Sequence, residues 1–321
     1  MEGFDPKTGF GYEVSKRYDD GPRGDESETV AFLARLAGGR DALEFAVGTG
    51  RIALPLARAG VRVDGIELSP DMVDRMREKP GGNAIEVTTG DMSRATTGRR
   101  YGLVYLVYNT IGNLLTQGDQ VRCFQNAARH LGPGGAFVIE CRVPTAPARP
   151  GHQYVDPAHI AAGQVVLDAG RYDPVTQILD LNHIHISADG IFLSPISLRL
   201  ACPPEFDLMA RVAGLRLRDR WGGWNGEQYT AGSWRHISIY EPAVELSCRL
   251  RPRYPGQTGH DNSDRGRPSA KCAELVRKRE CAEPVSKRLN VPNRSGSGER
   301  DDRDVGVVKL GGQLSRRADQ E

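Results

Sequence analysis

Two short runs constrain this chain more than any other feature: Leu43-Glu44-Phe45-Ala46-Val47-Gly48-Thr49-Gly50-Arg51, and then Gly65-Ile66-Glu67-Leu68-Ser69-Pro70. The first reads as an acidic strand that breaks at a glycine turn and opens a helix; the second is another strand ending on an acid about twenty residues later. Gly48 and Gly50 carry no Cβ, so the turn bends sharply and its backbone can approach a ligand. A helix over 51–59 would aim its unpaired N–H groups at the same spot. The Glu67 carboxylate then stands where it can accept both hydroxyls of a ribose, and Ser69 and Pro70 suit the N-cap and first residue of the next helix. Together these make the nucleotide-cradling start of a βαβ unit.

The glycines alone fit either a dinucleotide or another adenosyl cofactor, since Gly48-x-Gly50-x-x-Ala53 also satisfies the looser dinucleotide pattern. The downstream segments decide between them. A third strand over 84–88 runs into Gly90-Asp91-Met92, and a fourth over 103–107 ends in Tyr108-Asn109-Thr110-Ile111-Gly112-Asn113. A helix over 118–131 precedes Gly132-Pro133-Gly134-Gly135, read as the turn that sends the chain into a fifth strand over 136–140. After an interruption come a helix over 203–215 and strands over 216–221 and 235–240, an ending unlike the second mononucleotide half of a dehydrogenase.

On these residues the chain, from about Tyr18 to Glu241, resembles the class I S-adenosylmethionine-dependent methyltransferases, in particular small-molecule enzymes of the glycine and amino-sugar N-methyltransferase type. The resemblance implies an α/β, Rossmann-like seven-stranded sheet, mostly parallel with the last strand antiparallel, and S-adenosyl-L-methionine as cofactor. It implies that Glu44, Ala46, Gly48, Thr49 and Gly50 wrap the methionine part of the cofactor, that Glu67 and Leu68 bind the ribose, and that Asp91 and Met92 hold the adenine. Val107, Tyr108 and Asn109 would close over the methionine side near the transferred methyl, and Tyr18 would lie near the sulfonium. Met92 and Tyr108 suit a core position equally well, Asn109 could cap the loop, and Tyr18 could pack on the sheet edge. One departure is plain: members usually carry Gly then Cys or Ser where this chain has Ala46-Val47.

Three strand-like runs over 165–172, 176–187 and 191–201 suit an antiparallel sheet inserted over about 164–201, with turns at Asp173-Pro174 and Ala188-Asp189-Gly190. Leu181, His183 and His185 share one face of it, and Ile184 and Ile186 the other. The two histidines are candidates for removing a proton from an acceptor amine or hydroxyl; the alternative is an exposed face whose histidines are incidental. Trp221, Trp224 and Trp234 could wall an acceptor or plug the core.

Composition bounds the rest. The chain has 321 residues, 39% hydrophobic, and no stretch long and apolar enough for a membrane helix. Met1-Glu2-Gly3-Phe4-Asp5 lacks the basic and apolar regions of a secretion signal, so the expected location is cytoplasmic. Six scattered cysteines show no metal-ligand spacing, so neither a disulfide framework nor a metal is expected. Residues 242–321 hold 17 Lys+Arg and 12 Asp+Glu with one aromatic, and read as a disordered basic tail after a methyltransferase domain over 1–241. No Asn-Pro-Pro-aromatic motif for a flipped base is present, so the expected acceptor is a small molecule and not nucleic acid. Oligomeric state is not specified. Two rivals use the same residues: an NAD-dependent oxidoreductase, and a non-catalytic nucleotide-binding protein whose pocket Ala46-Val47 has impaired.

Overall fold

Strands buried at every residue, Ala42–Phe45 and Val63–Glu67, alternate with helices apolar on one side, the pattern of a parallel sheet covered on both faces. The computed structural model describes residues 9, 11–19, 24–144 and 153–243, all within the contact unit Met1–Cys248. The second unit, Arg249–Glu321, lies outside the described residues, and so does the predicted tail beyond residue 243.

In chain order the elements are α1 (Tyr12–Arg17), α2 (Glu26–Ala37), β1 (Ala42–Phe45), α3 (Ala53–Arg58), β2 (Val63–Glu67), α4 (Pro70–Arg77), β3 (Glu86–Thr89), β4 (Tyr101–Leu106), α5 (Gln117–His130) and β5 (Leu131–Arg142). Then come β6 (Gln153–Ala161), β7 (Gln164–Asp173), β8 (Ile178–Ser187), β9 (Gly190–Arg199), α6 (Pro203–Val212), β10 (Leu215–Trp221) and β11 (Arg235–Pro242). Seven strands form one sheet in the order β10-β11-β5-β4-β1-β2-β3. β11 pairs antiparallel with both β5 and β10, while β1 to β5 pair in parallel. A dehydrogenase would continue with a second parallel half instead.

Two apolar layers flank the sheet. On one face Phe124 of α5 meets Phe137, Phe206 and Tyr240 edge-on or stacked. On the other, Leu33, Leu56, Val63 and Trp224 are buried together, with Trp224 edge-on to Phe32 at 5.3 Å. Trp224 and Trp221 therefore serve the core, whereas Trp234 is 59% exposed. α4 starts as its sequence dictates: Pro70 follows Ser69, whose side chain accepts from the Met72 N–H. α5 is likewise capped by Thr116, which accepts from the Asp119 N–H.

The second sheet has four antiparallel strands in the order β6-β7-β8-β9, one more than the sequence predicts. β6 contains Pro157, which argues against a strand by pattern; as an edge strand it tolerates the missing N–H. Register places Asp168 of β7 opposite His183 of β8, and His183 opposite Ser194 of β9. The Gly132-Pro133-Gly134-Gly135 turn falls within the span of β5: Leu131 pairs with Tyr101, the register then breaks, and Ala136 resumes pairing opposite Leu103, with Gly134 left-handed at φ 68° in between. No helix among the described residues is long and apolar enough to cross a membrane.

Candidate active site

The carboxyl ends of β1, β2 and β4 lie side by side, and the turn after β1 is shaped by three left-handed residues: Ala46 at φ 53°, Gly48 at 55° and Gly50 at 75°. Gly50 must be glycine for space as well, since a Cβ there would lie 2.7 Å from Met76. The turn is tied to β2 by the Val47 N–H donating to the Ile66 carbonyl at 3.1 Å.

Glu67 fastens this loop. Its Oε2 accepts from the Gly48 N–H at 2.8 Å, and its Oε1 accepts from the N–H groups of Leu68 (2.9 Å) and Ser69 (2.8 Å). One carboxylate thus joins the glycine turn, the end of β2 and the start of α4. Burial raises its pKa, opposed by those three donors, which favour the charged form. The Glu67 carbonyl also accepts from the Gly90 N–H at 2.8 Å, which draws the end of β3 alongside; there Asp91 Oδ1 accepts from the Ser93 N–H. Met92 turns its side chain into the core, and its carbonyl accepts from Asn126 Nδ2.

Glu44 is buried beneath the turn with Oε2 accepting from the Tyr105 hydroxyl at 2.9 Å. Burial pushes its pKa up to about 8, only partly countered by Tyr105 and the Arg51 charge. Thr49 donates its hydroxyl to Asp19 Oδ1 at 2.8 Å, and Lys79 Nζ contacts both Asp19 Oδ2 and the Thr49 carbonyl at 2.7 Å. Tyr18, the C-cap of α1, is thereby carried next to the loop by its neighbour Asp19. Beyond β4, Val107 is buried, Tyr108 is 41% exposed, and Asn109 bonds to the end of β5.

The structure thus brings Gly48, Thr49, Glu67, Leu68 and, through backbone bonds, Asp91 around one loop. His183 and His185 sit on the second sheet. There His183 Nδ1 lies 2.6 Å from Asp168 Oδ1, and His185 meets the Phe192 ring. Sequence reasoning missed Asp19, Lys79, Asp25, Glu140 and Arg235. Of these only Glu140 carried a signal, a lone acid in the apolar run Ala136-Phe137-Val138-Ile139.

The donor set suits an adenosyl cofactor with a cationic methionine end. The anchored Glu67 carboxylate at the end of β2 can take the ribose, with the buried acid Glu44 near the same glycine turn, whose Val47, Gly48 and Gly50 N–H groups are held by bonds within the protein. Ala46 keeps the left-handed conformation that glycine adopts freely. Ala46→Gly is expected to stabilise the protein by about 1 kcal/mol, read as a rise in thermal midpoint. An unchanged or lower midpoint would show that the alanine is not strained.

The family described as "Methyltransferase domain" matches residues 42–135. The CcbJ methyltransferase from Streptomyces caelestis is 37% identical, with a TM-score of 0.70, and the match covers 75% of this chain and 100% of that one. The cypemycin N-terminal methyltransferase of a Streptomyces species is 29% identical over 212 residues, covering 63% of this chain and 83% of the relative. A dTDP-3-amino-3,6-dideoxy-alpha-D-glucopyranose N,N-dimethyltransferase from Streptomyces fradiae is 29% identical over 143 residues, covering 42% and 55%. With the strand order, the loop and its carboxylates, these similarities show that the chain belongs to the class I S-adenosylmethionine-dependent methyltransferases.

Proposed function

We propose that this enzyme transfers the methyl of S-adenosylmethionine to an amine nitrogen of a small molecule. The observation that carries the choice of nitrogen is that the cypemycin and amino-sugar relatives are both named as acting there, one at a peptide N-terminus and one on an amino sugar. The cofactor supplies a methyl already activated by its positive sulfur, so the protein's task is to hold the nucleophile in line and take up its proton. Glu67 and Leu68 would bind the ribose, Asp91 and Met92 the adenine, and Glu44 to Gly50 the methionine end, with Tyr18, Val107, Tyr108 and Asn109 around the transferred methyl.

For the proton we favour His183. Its Nδ1 is held by Asp168, which fixes the tautomer and leaves Nε2 to act as base. His183→Gln is expected to lower kcat/KM by about 100-fold with S-adenosylhomocysteine affinity unchanged; equal turnover would remove His183 from the reaction. His185 is the second candidate.

Residues 1–241 would form the catalytic domain and 242–321 an extension without catalytic part, in a cytoplasmic protein. The buried thiols of Cys123 and Cys141, whose pKa values burial raises, suit a reducing compartment. The test of function uses labelled S-adenosylmethionine with three acceptor sets: amino sugars, peptides with free N-termini, and their hydroxyl analogues. Label in the amines alone supports the reading. Label only in the hydroxyl compounds, or none in any, contradicts it.

A further inference from the structure

Two consecutive non-glycine residues, Tyr108 and Asn109, stand at φ 60° one residue beyond the end of β4. Each such residue costs on the order of 1–3 kcal/mol and persists only where its surroundings hold it. The end of β5 does so. The Tyr108 N–H donates to Glu140 Oε2 at 2.8 Å and the Asn109 N–H to the Glu140 carbonyl at 3.2 Å. Asn109 Oδ1 in turn accepts from the Cys141 thiol at 2.9 Å and the Arg142 N–H at 3.2 Å.

Glu140 is itself held from its other side. Arg235 Nη1, at the start of β11, lies 3.0 Å from Glu140 Oε1 and 2.5 Å from Asp25 Oδ2. Asp25 occupies the N-cap position of α2, yet its side chain makes no cap hydrogen bond; it faces Arg235 instead. A residue that gives up its local task for a tertiary contact marks a functional constraint. Arg51, from the glycine turn, completes the cluster: its guanidinium lies 4.9 Å from the centre of the Tyr108 ring and pairs with Glu26 at 3.2 Å. Glu140 and Arg51 thus meet Tyr108 directly, and through them it is linked to Arg235, Asp25 and Glu26.

We propose that Glu140 is a positioning residue for methyl transfer: held by Arg235, which Asp25 in turn anchors, it latches the strained Tyr108–Asn109 segment in the shape that the reaction needs. The inference rests on the methyl-transfer reading, because that reading puts Tyr108 and Asn109 beside the transferred methyl. Glu140 acts through the backbone of Tyr108 and not on the substrate. A buried ion pair that only stabilised the fold would show its loss in melting temperature alone.

The test compares full-length E140A and E140Q with the wild type. In E140A, amide exchange at Tyr108 and Asn109 is expected to accelerate at least about tenfold, because the bond that protects Tyr108 is gone. kcat is expected to fall about 30-fold through misplacement, with S-adenosylhomocysteine affinity within about threefold, since Glu67 and the glycine turn are untouched. E140Q keeps an oxygen for the Tyr108 N–H and is expected to recover most of kcat. Unchanged exchange and kcat in E140A would overturn the proposal. So would a kcat loss matched by equal losses in cofactor affinity and melting temperature, with E140Q no better. If E140A does not fold, Arg235→Gln frees Glu140 while leaving the Tyr108 bond possible; a smaller kcat loss is then expected, and wild-type kcat would overturn the latch. A wild type that transfers no methyl defeats the functional reading, while the exchange data still decide the latch.

Discussion

Glu67→Ala is expected to weaken S-adenosylhomocysteine binding by about 100-fold or more and to destabilise the protein by about 3 kcal/mol. The two losses share a cause. In the free protein the carboxylate receives the N–H groups of Gly48, Leu68 and Ser69, and each donor left buried without a partner costs about 1–3 kcal/mol, lessened where water enters the space. In the complex the same group would accept ribose hydroxyls, and hydrogen bonds to a charged acceptor contribute about 1.5–3 kcal/mol each. Glu67→Gln should fall between, since it keeps one acceptor oxygen but turns an NH₂ toward one of the three donors. Calorimetry and urea denaturation on the same preparations separate the effects. Alanine-variant binding within threefold of wild type would take Glu67 out of the ribose site, and unchanged stability would mean that the loop does not depend on it.

The second large effect is a pH dependence set by Glu44. Its carboxyl is buried and its pKa is raised from 4.5 to about 8, so the folded state binds a proton more tightly than the unfolded chain does. Stability is therefore full below the unfolded value and declines as pH rises between about 4.5 and 8, by up to about 1.4 kcal/mol per pH unit. Glu67 and Glu140 are shifted in the same direction by burial and add smaller slopes. Glu44→Gln removes the largest of these titrations and should flatten the profile. Urea denaturation across this pH range reads it directly; parallel wild-type and variant curves would mean that Glu44 is already ionised in the fold. A cationic cofactor end beside Glu44 favours the charged form, so cofactor binding should release a proton in the range where Glu44 is neutral.

Much of this was legible because it is local. The turn at Gly48, the acid closing β2 and the Ser69-Pro70 helix start are all set by neighbours in the chain, and the structure places them as the sequence predicts. Gly132-Pro133-Gly134-Gly135 was legible as a turn, and the register break between Leu131 and Ala136 with Gly134 at φ 68° bears it out. The antiparallel return of β11 came from the family resemblance instead, and the structure bears it out. β6 was not legible, since Pro157 masks a strand whose place at a sheet edge makes the proline harmless. The connections around the site were beyond reach. Asp19 meets Thr49 and Lys79, and Asp25 meets Arg235 across 210 residues, through contacts that exist only once the sheet has assembled. The tryptophans show the same limit, Trp224 entering the core and Trp234 lying exposed between Arg142 and Arg235.

The most direct test of cofactor identity is calorimetric titration of the wild-type protein with S-adenosylhomocysteine and, separately, with NADH. A single S-adenosylhomocysteine site per chain and no heat from NADH is the predicted result. Binding of NADH without S-adenosylhomocysteine, or of neither, would contradict the claim that this glycine turn and its anchored carboxylate grip an adenosyl methyl donor.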